Sequence, residues 1–144
     1  MQSPPPPITG ILETVIYTRD LARAKAFYEG VLGLPVVAGD GQRFHVFAVA
    51  PRQLLLVFLH GATSEPIPAP RGGTIPPHHS DGGAHHLGFA IDAADLDQWK
   101  AHLAAAGVPL LSEAGWTRGG RSLYFHDPDG HVLELITPGI WPNY

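Results

Sequence analysis

Apolar and polar positions alternate through residues 11–17 (ILETVIY), with Leu12, Thr14 and Ile16 on one side and Ile11, Glu13, Val15 and Tyr17 on the other, which is the period of a β-strand. The period then lengthens. Leu21, Ala24, Tyr28 and Val31 recur at helical spacing through LARAKAFYEGVLG, with Asp20 placed to cap the helix and Gly33 to end it in the left-handed conformation. Two apolar runs, 43–49 (RFHVFAV) and 53–59 (QLLLVFL), read as strands separated by a turn containing Pro51.

The succession restarts in the second half. HLGFAI, residues 86–91, reads as a strand, Asp95 as a cap, and Leu96, Trp99 and Leu103 as the buried stripe of a helix closed by Gly107. Residues 121–126 (RSLYFH) and 131–137 (HVLELIT) make a hairpin around Asp127-Pro128-Asp129-Gly130, whose proline and glycine suit a tight turn. The chain is thus a repeat with a period of about 75 residues, in which Glu13 and His86 hold matching places on the first strand of each half. It divides into a Pro-rich arm (1–10), a first module (11–60), a loop or lid (61–84) and a second module (85–144). Pro4 to Pro7 lack amide donors, so the arm is expected to be extended in the polyproline manner. The 61–84 stretch of Gly, Pro, Ser and His exceeds the roughly 12–15 residues usual for a structureless loop, and reads either as a linker or as a lid.

Composition narrows the function classes. With 144 residues, 44% of them hydrophobic and 15% charged, the chain can build one core. A formal charge of −4 and nine scattered Lys and Arg residues offer no cationic face to nucleic acid. No run reaches the roughly 18 apolar residues that span a bilayer. MQSPPPP has neither the basic region nor the apolar run of a signal peptide, so a cytoplasmic protein without membrane partners is expected. The chain has no cysteine, so any metal must be held by nitrogen and oxygen. Among nine histidines, His78, His79, His85 and His86 crowd together beside the Pro/Gly-rich stretch.

Two carboxylates stand out. Glu134 lies within VLELI and shares a strand face with Val132 and Ile136; Glu13 lies within ILETVIY beside Val15 and Tyr17. A carboxylate in such a strand either stays in water at a sheet edge or needs a cation, because burying it alone is costly. A shared cation would satisfy both, and His86 is the natural third ligand in a chain without cysteine, although a single His opening an apolar strand can also be merely structural.

These segments resemble a family. LETVIYTRDLARAKAFYEGVLGL, HLGFAIDAADLDQWKAHLAAAGV and GGRSLYFHDPDGHVLELITPG are similar to the vicinal oxygen chelate superfamily, which includes glyoxalase I, fosfomycin-resistance proteins, bleomycin-binding proteins and extradiol dioxygenases. The resemblance implies an α+β fold in which two βαβββ modules form a curved mixed-sheet cup. It also implies metal ligands on the first and last strands of each module, here Glu13, Leu56, His86 and Glu134. Leu56 cannot ligate, so Glu13, His86 and Glu134 are the expected set, one imidazole and two carboxylates. Such a site suits Mn²⁺, Mg²⁺, Zn²⁺ or Ni²⁺ acting on a bidentate oxygen substrate, with Fe²⁺ the choice if the protein is a dioxygenase. That last activity would require His45, His60 or His78 as a second imidazole ligand.

The expected function is a metal-dependent lyase, isomerase or transferase on a small-molecule substrate. The alternatives are a non-catalytic antibiotic-binding protein of the bleomycin-resistance type and an extradiol dioxygenase. Glu13, Glu134 and Tyr124 are the candidate catalytic groups, and His45, His78, Arg118, Arg121 and Tyr124 the candidate substrate-binding groups, each with an ordinary core or surface role as the competing reading. Trp116 and Trp141 suit either a pocket wall or an interface. A homodimer is expected, since each module leaves an open sheet with unprotected edges.

Overall fold

The computed structural model describes residues 3–79 and 82–144, so Met1 and Gln2 of the arm and Ser80 and Asp81 of the 61–84 stretch lie outside the described residues. The first half runs β1 (Glu13–Thr18), α1 (Leu21–Lys25), β2 (Val36–Gly39), β3 (Phe44–Ala50) and β4 (Gln53–Leu59). A two-stranded ribbon of β5 (Ile67–Pro68) and β6 (Thr74–Ile75) follows, and then β7 (His86–Ala90), α2 (Leu96–Ala105), β8 (Ser112–Gly115), β9 (Arg121–His126) and β10 (Val132–Ile136). The two large sheets have the orders β1-β4-β3-β2 and β7-β10-β9-β8. In each, the first and last strands of the half pair in parallel and the other pairs are antiparallel.

Local chemistry sets the helix ends. The Asp20 carboxylate accepts the Arg23 amide at 3.1 Å and caps α1. The helix then widens to i→i+5 bonding over Ala26–Val31, with the Leu32 amide donating to the Phe27 carbonyl at 3.1 Å. Gly33 (φ +71°) and Gly107 (φ +72°) close the two helices in the left-handed region. Gly107→Ala is expected to lower stability by about 1 kcal/mol, since a Cβ is strained at that φ; urea unfolding would measure it. Asp95 does not cap α2 as expected: its side chain makes no capping bond, and the chain enters the helix through a 3₁₀ turn at Ala93–Asp95.

β2 and β8 were not expected from the pattern. Val37 is exposed on β2, and β8 (SEAG) has no apolar alternation, so main-chain pairing rather than burial holds both strands at their sheet edges. The short ribbon inside 61–84 was hidden for the same reason.

A single apolar cluster joins the halves. Ile16, Phe47, Leu55 and Val57 from the first sheet and Leu123, Phe125, Leu133 and Leu135 from the second pack against Ala24, Phe27, Tyr28 and Leu103 of the helical layer. The turn between β9 and β10 fastens the halves together. Buried Tyr28 donates its hydroxyl to Asp127 at 2.7 Å, and the other Asp127 oxygen accepts the amides of Asp129 and His131, both at 2.9 Å. Burial, reinforced by the Asp127 charge, pushes the Tyr28 hydroxyl far above its ordinary pKa, so it remains a donor. Asp129 accepts the Thr18 hydroxyl at 2.6 Å and the Arg19 amide at 2.9 Å. His131 accepts the His85 amide on Nδ1 at 2.9 Å, which fixes the tautomer that donates Nε2–H to the Tyr17 carbonyl at 2.7 Å. The HDPDGH segment therefore ties the end of β1 to the start of β7.

Candidate metal centre

Strand parity decides which side chains share a face with the carboxylates. In the second sheet, Leu133 and Leu135 point into the core, so Val132, Glu134 and Ile136 take the opposite face, here called the site face. The register places His86 and His126 beside Val132, and Gly88 and Tyr124 beside Glu134. In the first sheet, Glu13 pairs with Leu54 and Val15 with Leu56. Glu13 thus corresponds to His86, and Leu56 to Glu134.

His86 and Glu134 form a pair. Glu134 is only 6% exposed although it faces away from the core, and its Oε2 lies 3.4 Å from His86 Nε2. His86 Nδ1 lies 2.9 Å from the Val132 carbonyl, which can only accept, so Nδ1 carries the proton. That leaves Nε2 as the ring nitrogen facing the carboxylate. The 3.4 Å gap exceeds the roughly 2.7–2.9 Å of a charged N–H···O bond, so the two groups face each other without a short hydrogen bond. Backbone fixation of the far imidazole nitrogen is the usual outer support of a histidine ligand.

Tyr124 completes the local arrangement. Its ring lies 6.3 Å from that of His86 and nearly parallel to it. The neighbouring Glu134 carboxylate, by hydrogen bonding, raises the Tyr124 hydroxyl above its ordinary pKa, so it stays protonated and donates. At Gly88 the absent side chain makes room for Ile136: a Cβ there would meet Ile136 Cδ1 at 2.6 Å and lie 3.7 Å from Glu134 Oε2. His126, on the same face, and Gly88 were not singled out in the sequence, although their in-phase spacing from Tyr124 and His86 was the available signal.

Glu13 is exposed at the start of edge strand β1. Among the described residues of one chain, no three His, Asp or Glu side chains gather in a way that could hold a metal ion. Within a single chain the expected trio is therefore a pair plus a separate carboxylate.

The other candidates scatter. His45 shares the core-side face with Phe47, its ring 6.1 Å away, and burial with nearby Lys25 lowers its pKa, so it does not line the site face. Arg121 likewise has the parity of buried Leu123. It binds Glu113 at 2.6 Å, and Lys100 holds the same carboxylate at 2.8 Å. These two cations keep the Glu113 carboxyl below its ordinary pKa, and added salt is expected to raise it again in an NMR titration. Arg118 lies in the exposed turn after Trp116, whose indole N–H donates to Ser122 at 2.9 Å; Trp141 is exposed. His78 does reach the site face of the first sheet. Its Nδ1 lies 2.6 Å from the Tyr17 hydroxyl and its ring packs edge-on against Phe58. His60 stands beside the same tyrosine and His79 is exposed.

Two βαβββ repeats with a His–Glu pair on the site face have the organisation of the vicinal oxygen chelate class. Residues 10–135 match the model of the Glyoxalase/Bleomycin resistance protein/Dioxygenase superfamily, and the chain belongs to that superfamily. The crystal structure of a lactoylglutathione lyase from Agrobacterium tumefaciens superposes with a TM-score of 0.83, at 33% identity, over 95% of this chain and 99% of that one. A metallothiol transferase FosB from Bacillus licheniformis is 40% identical over 57 residues, 39% of this chain and 37% of the relative. The chain thus spans well under half the length of the curated relatives it matches. A Listeria monocytogenes fosfomycin resistance protein FosX, crystallised with Mn(II) and a dihydroxypropylphosphonic acid, shares the fold at TM-score 0.65 and 21% identity over 89% of each chain. No helix among the described residues is long and apolar enough to cross a membrane.

Proposed function

We propose that this protein is a metal-dependent vicinal oxygen chelate enzyme acting on a small substrate with two neighbouring oxygens. His86 and Glu134 of one chain and Glu13 of a second chain are its metal ligands. The observation that carries this reading is the His86–Glu134 pair: an imidazole with its far nitrogen fixed by a carbonyl, its other nitrogen facing a buried carboxylate across 3.4 Å. Its donor set, one nitrogen with carboxylate oxygens, fits a hard or borderline divalent ion, and Mn²⁺ is the first to test. Bound there, such an ion supplies Lewis-acid polarisation of the substrate oxygens.

The chain's own groups do the remainder. Tyr124 stays protonated next to Glu134 and can donate a hydrogen bond to a substrate oxygen. β1, with Glu13, and β7, with His86, are both edge strands that lack a partner on one side among the described residues of one chain. A homodimer in which each covers the other's edge would protect them and bring a carboxylate to each pair. The relatives' names, lactoylglutathione lyase and metallothiol transferase, support lyase or transferase chemistry.

The test is equilibrium dialysis of metal-stripped protein against Mn²⁺, Zn²⁺ or Ni²⁺, followed by a screen of bidentate oxygen substrates. One ion per chain is expected, together with turnover that chelators abolish. A protein that binds ligands of this kind equally well without any ion would instead be a binding module. Oxygen uptake with catechols would point to ring cleavage.

A further inference from the structure

On the site face, the first sheet continues outward from Glu13 in two rows without a charged side chain. Val15, Leu56 and Val46 form the nearer row, and Tyr17, Phe58 and Phe44 the farther one, with Phe44 and Phe58 stacked at 4.8 Å. At that far end the 61–79 strap closes over the sheet. His78 is fastened to the Tyr17 hydroxyl at 2.6 Å and packs on Phe58, while Thr63 bonds the His78 carbonyl. Beneath the strap lies a cavity of about 120 Å³ whose polar lining includes the Glu65 carboxylate. The one guanidinium there, on Arg43, donates to the Ala62 carbonyl at 3.0 Å. The position where a second carboxylate would match Glu134 is filled by Leu56.

We propose that the oxygen-bidentate head of the substrate is followed by an uncharged apolar tail, which lies along Val15 and Leu56 and ends against Phe58 and the Tyr17–His78 closure. This inference rests on the metal reading above, because it places the tail relative to Glu13. The chemistry of the walls selects the class. A phosphonate or other dianion needs cationic donors, and no Lys or Arg occupies a strand position on this face, whereas an alkyl or aryl tail gains by leaving water. Tyr17 lies four positions beyond Glu13 on the strand, so the subsite is about 13 Å long at the usual rise of a strand.

The experiment uses full-length protein loaded with Mn²⁺ and measures the affinity of acetohydroxamate, hexanohydroxamate, octanohydroxamate, dodecanohydroxamate and hydroxymethylphosphonate by calorimetry. Affinity is expected to rise at least about tenfold from the acetyl to the hexanoyl probe. It should stop rising once the tail fills the distance to Tyr17, with the phosphonate binding no more tightly than acetohydroxamate. In Leu56→Asp the ratio of hexanoyl to acetyl affinity should fall to about one, and reading a ratio cancels any change in metal affinity. Equal affinity along the series, affinity that keeps rising with the dodecanoyl probe, tighter binding of the phosphonate, or no probe binding by metal-loaded protein would each overturn the inference. Metal content is measured before any probe is added: a protein that takes up no ion overturns the metal reading and this inference with it, whereas flat affinities on loaded protein overturn this inference alone.

Discussion

Asp127→Ala is expected to lower the unfolding free energy by about 3 kcal/mol or more. The carboxylate accepts three hydrogen bonds, from the buried Tyr28 hydroxyl and from the amides of Asp129 and His131. Truncation leaves those donors without an acceptor in a site too enclosed for easy hydration. It also loosens the turn whose neighbours, Asp129 and His131, hold the end of β1 and the start of β7. Tyr28→Phe removes one of the three bonds and is expected to cost about 1–2 kcal/mol. Urea unfolding of both variants gives the comparison, and an Asp127→Ala protein within about 0.5 kcal/mol of wild type would show that the clamp does not hold the halves together.

Glu134→Gln is expected to weaken divalent-ion binding by at least about 100-fold, the upper end of what loss of even an outer supporting group costs. The apo protein should lose little or no stability. Without an ion, Glu134 is a nearly buried carboxylate beside the His86 imidazole and the Tyr124 hydroxyl, with no Lys or Arg paired to it among the described residues, and glutamine removes that charge while keeping its size. Metal-induced thermal stabilisation reads the difference directly, since a ligand that binds only the folded state raises its stability in proportion to the logarithm of concentration over Kd. The expected pattern is a strong Mn²⁺-dependent rise in Tm for wild type, none for Glu134→Gln, and an unchanged rise for Glu65→Gln.

The repeat and the family were legible because each half carries its own punctuation: an alternating strand, a capped helix, and a glycine at its end. Asp20 and Gly33 act as their positions suggested. β2 and β8 escaped because edge strands held by main-chain bonds leave little hydrophobic pattern. Of the site, the facing of Glu134 and Tyr124 followed from period-two alternation. His45 and Arg121 were placed on the correct strands, but a one-residue difference in parity puts each on the opposite face. HDPDGH drew notice as a family motif and as a turn, yet its role as a clamp between halves depends on Tyr28, 99 positions away in sequence, which no local pattern reveals. Likewise the separation of Glu13 from His86 and Glu134 within one chain depends on how whole sheets sit, not on spacing.

The central claim, that a divalent ion is held by His86 and Glu134 of one chain and Glu13 of another, is tested most directly by metal content in mixed dimers. Chains carrying Glu13→Gln and Glu134→Gln would be co-expressed with different affinity tags, the heterodimer isolated by sequential purification, and bound Mn²⁺ counted by elemental analysis. Each variant alone is expected to be nearly metal-free, whereas the heterodimer should hold one ion, because one of its two sites combines an intact Glu13 with an intact His86–Glu134 pair. A heterodimer as empty as its parents, or either parent retaining a full complement of metal, would contradict the claim.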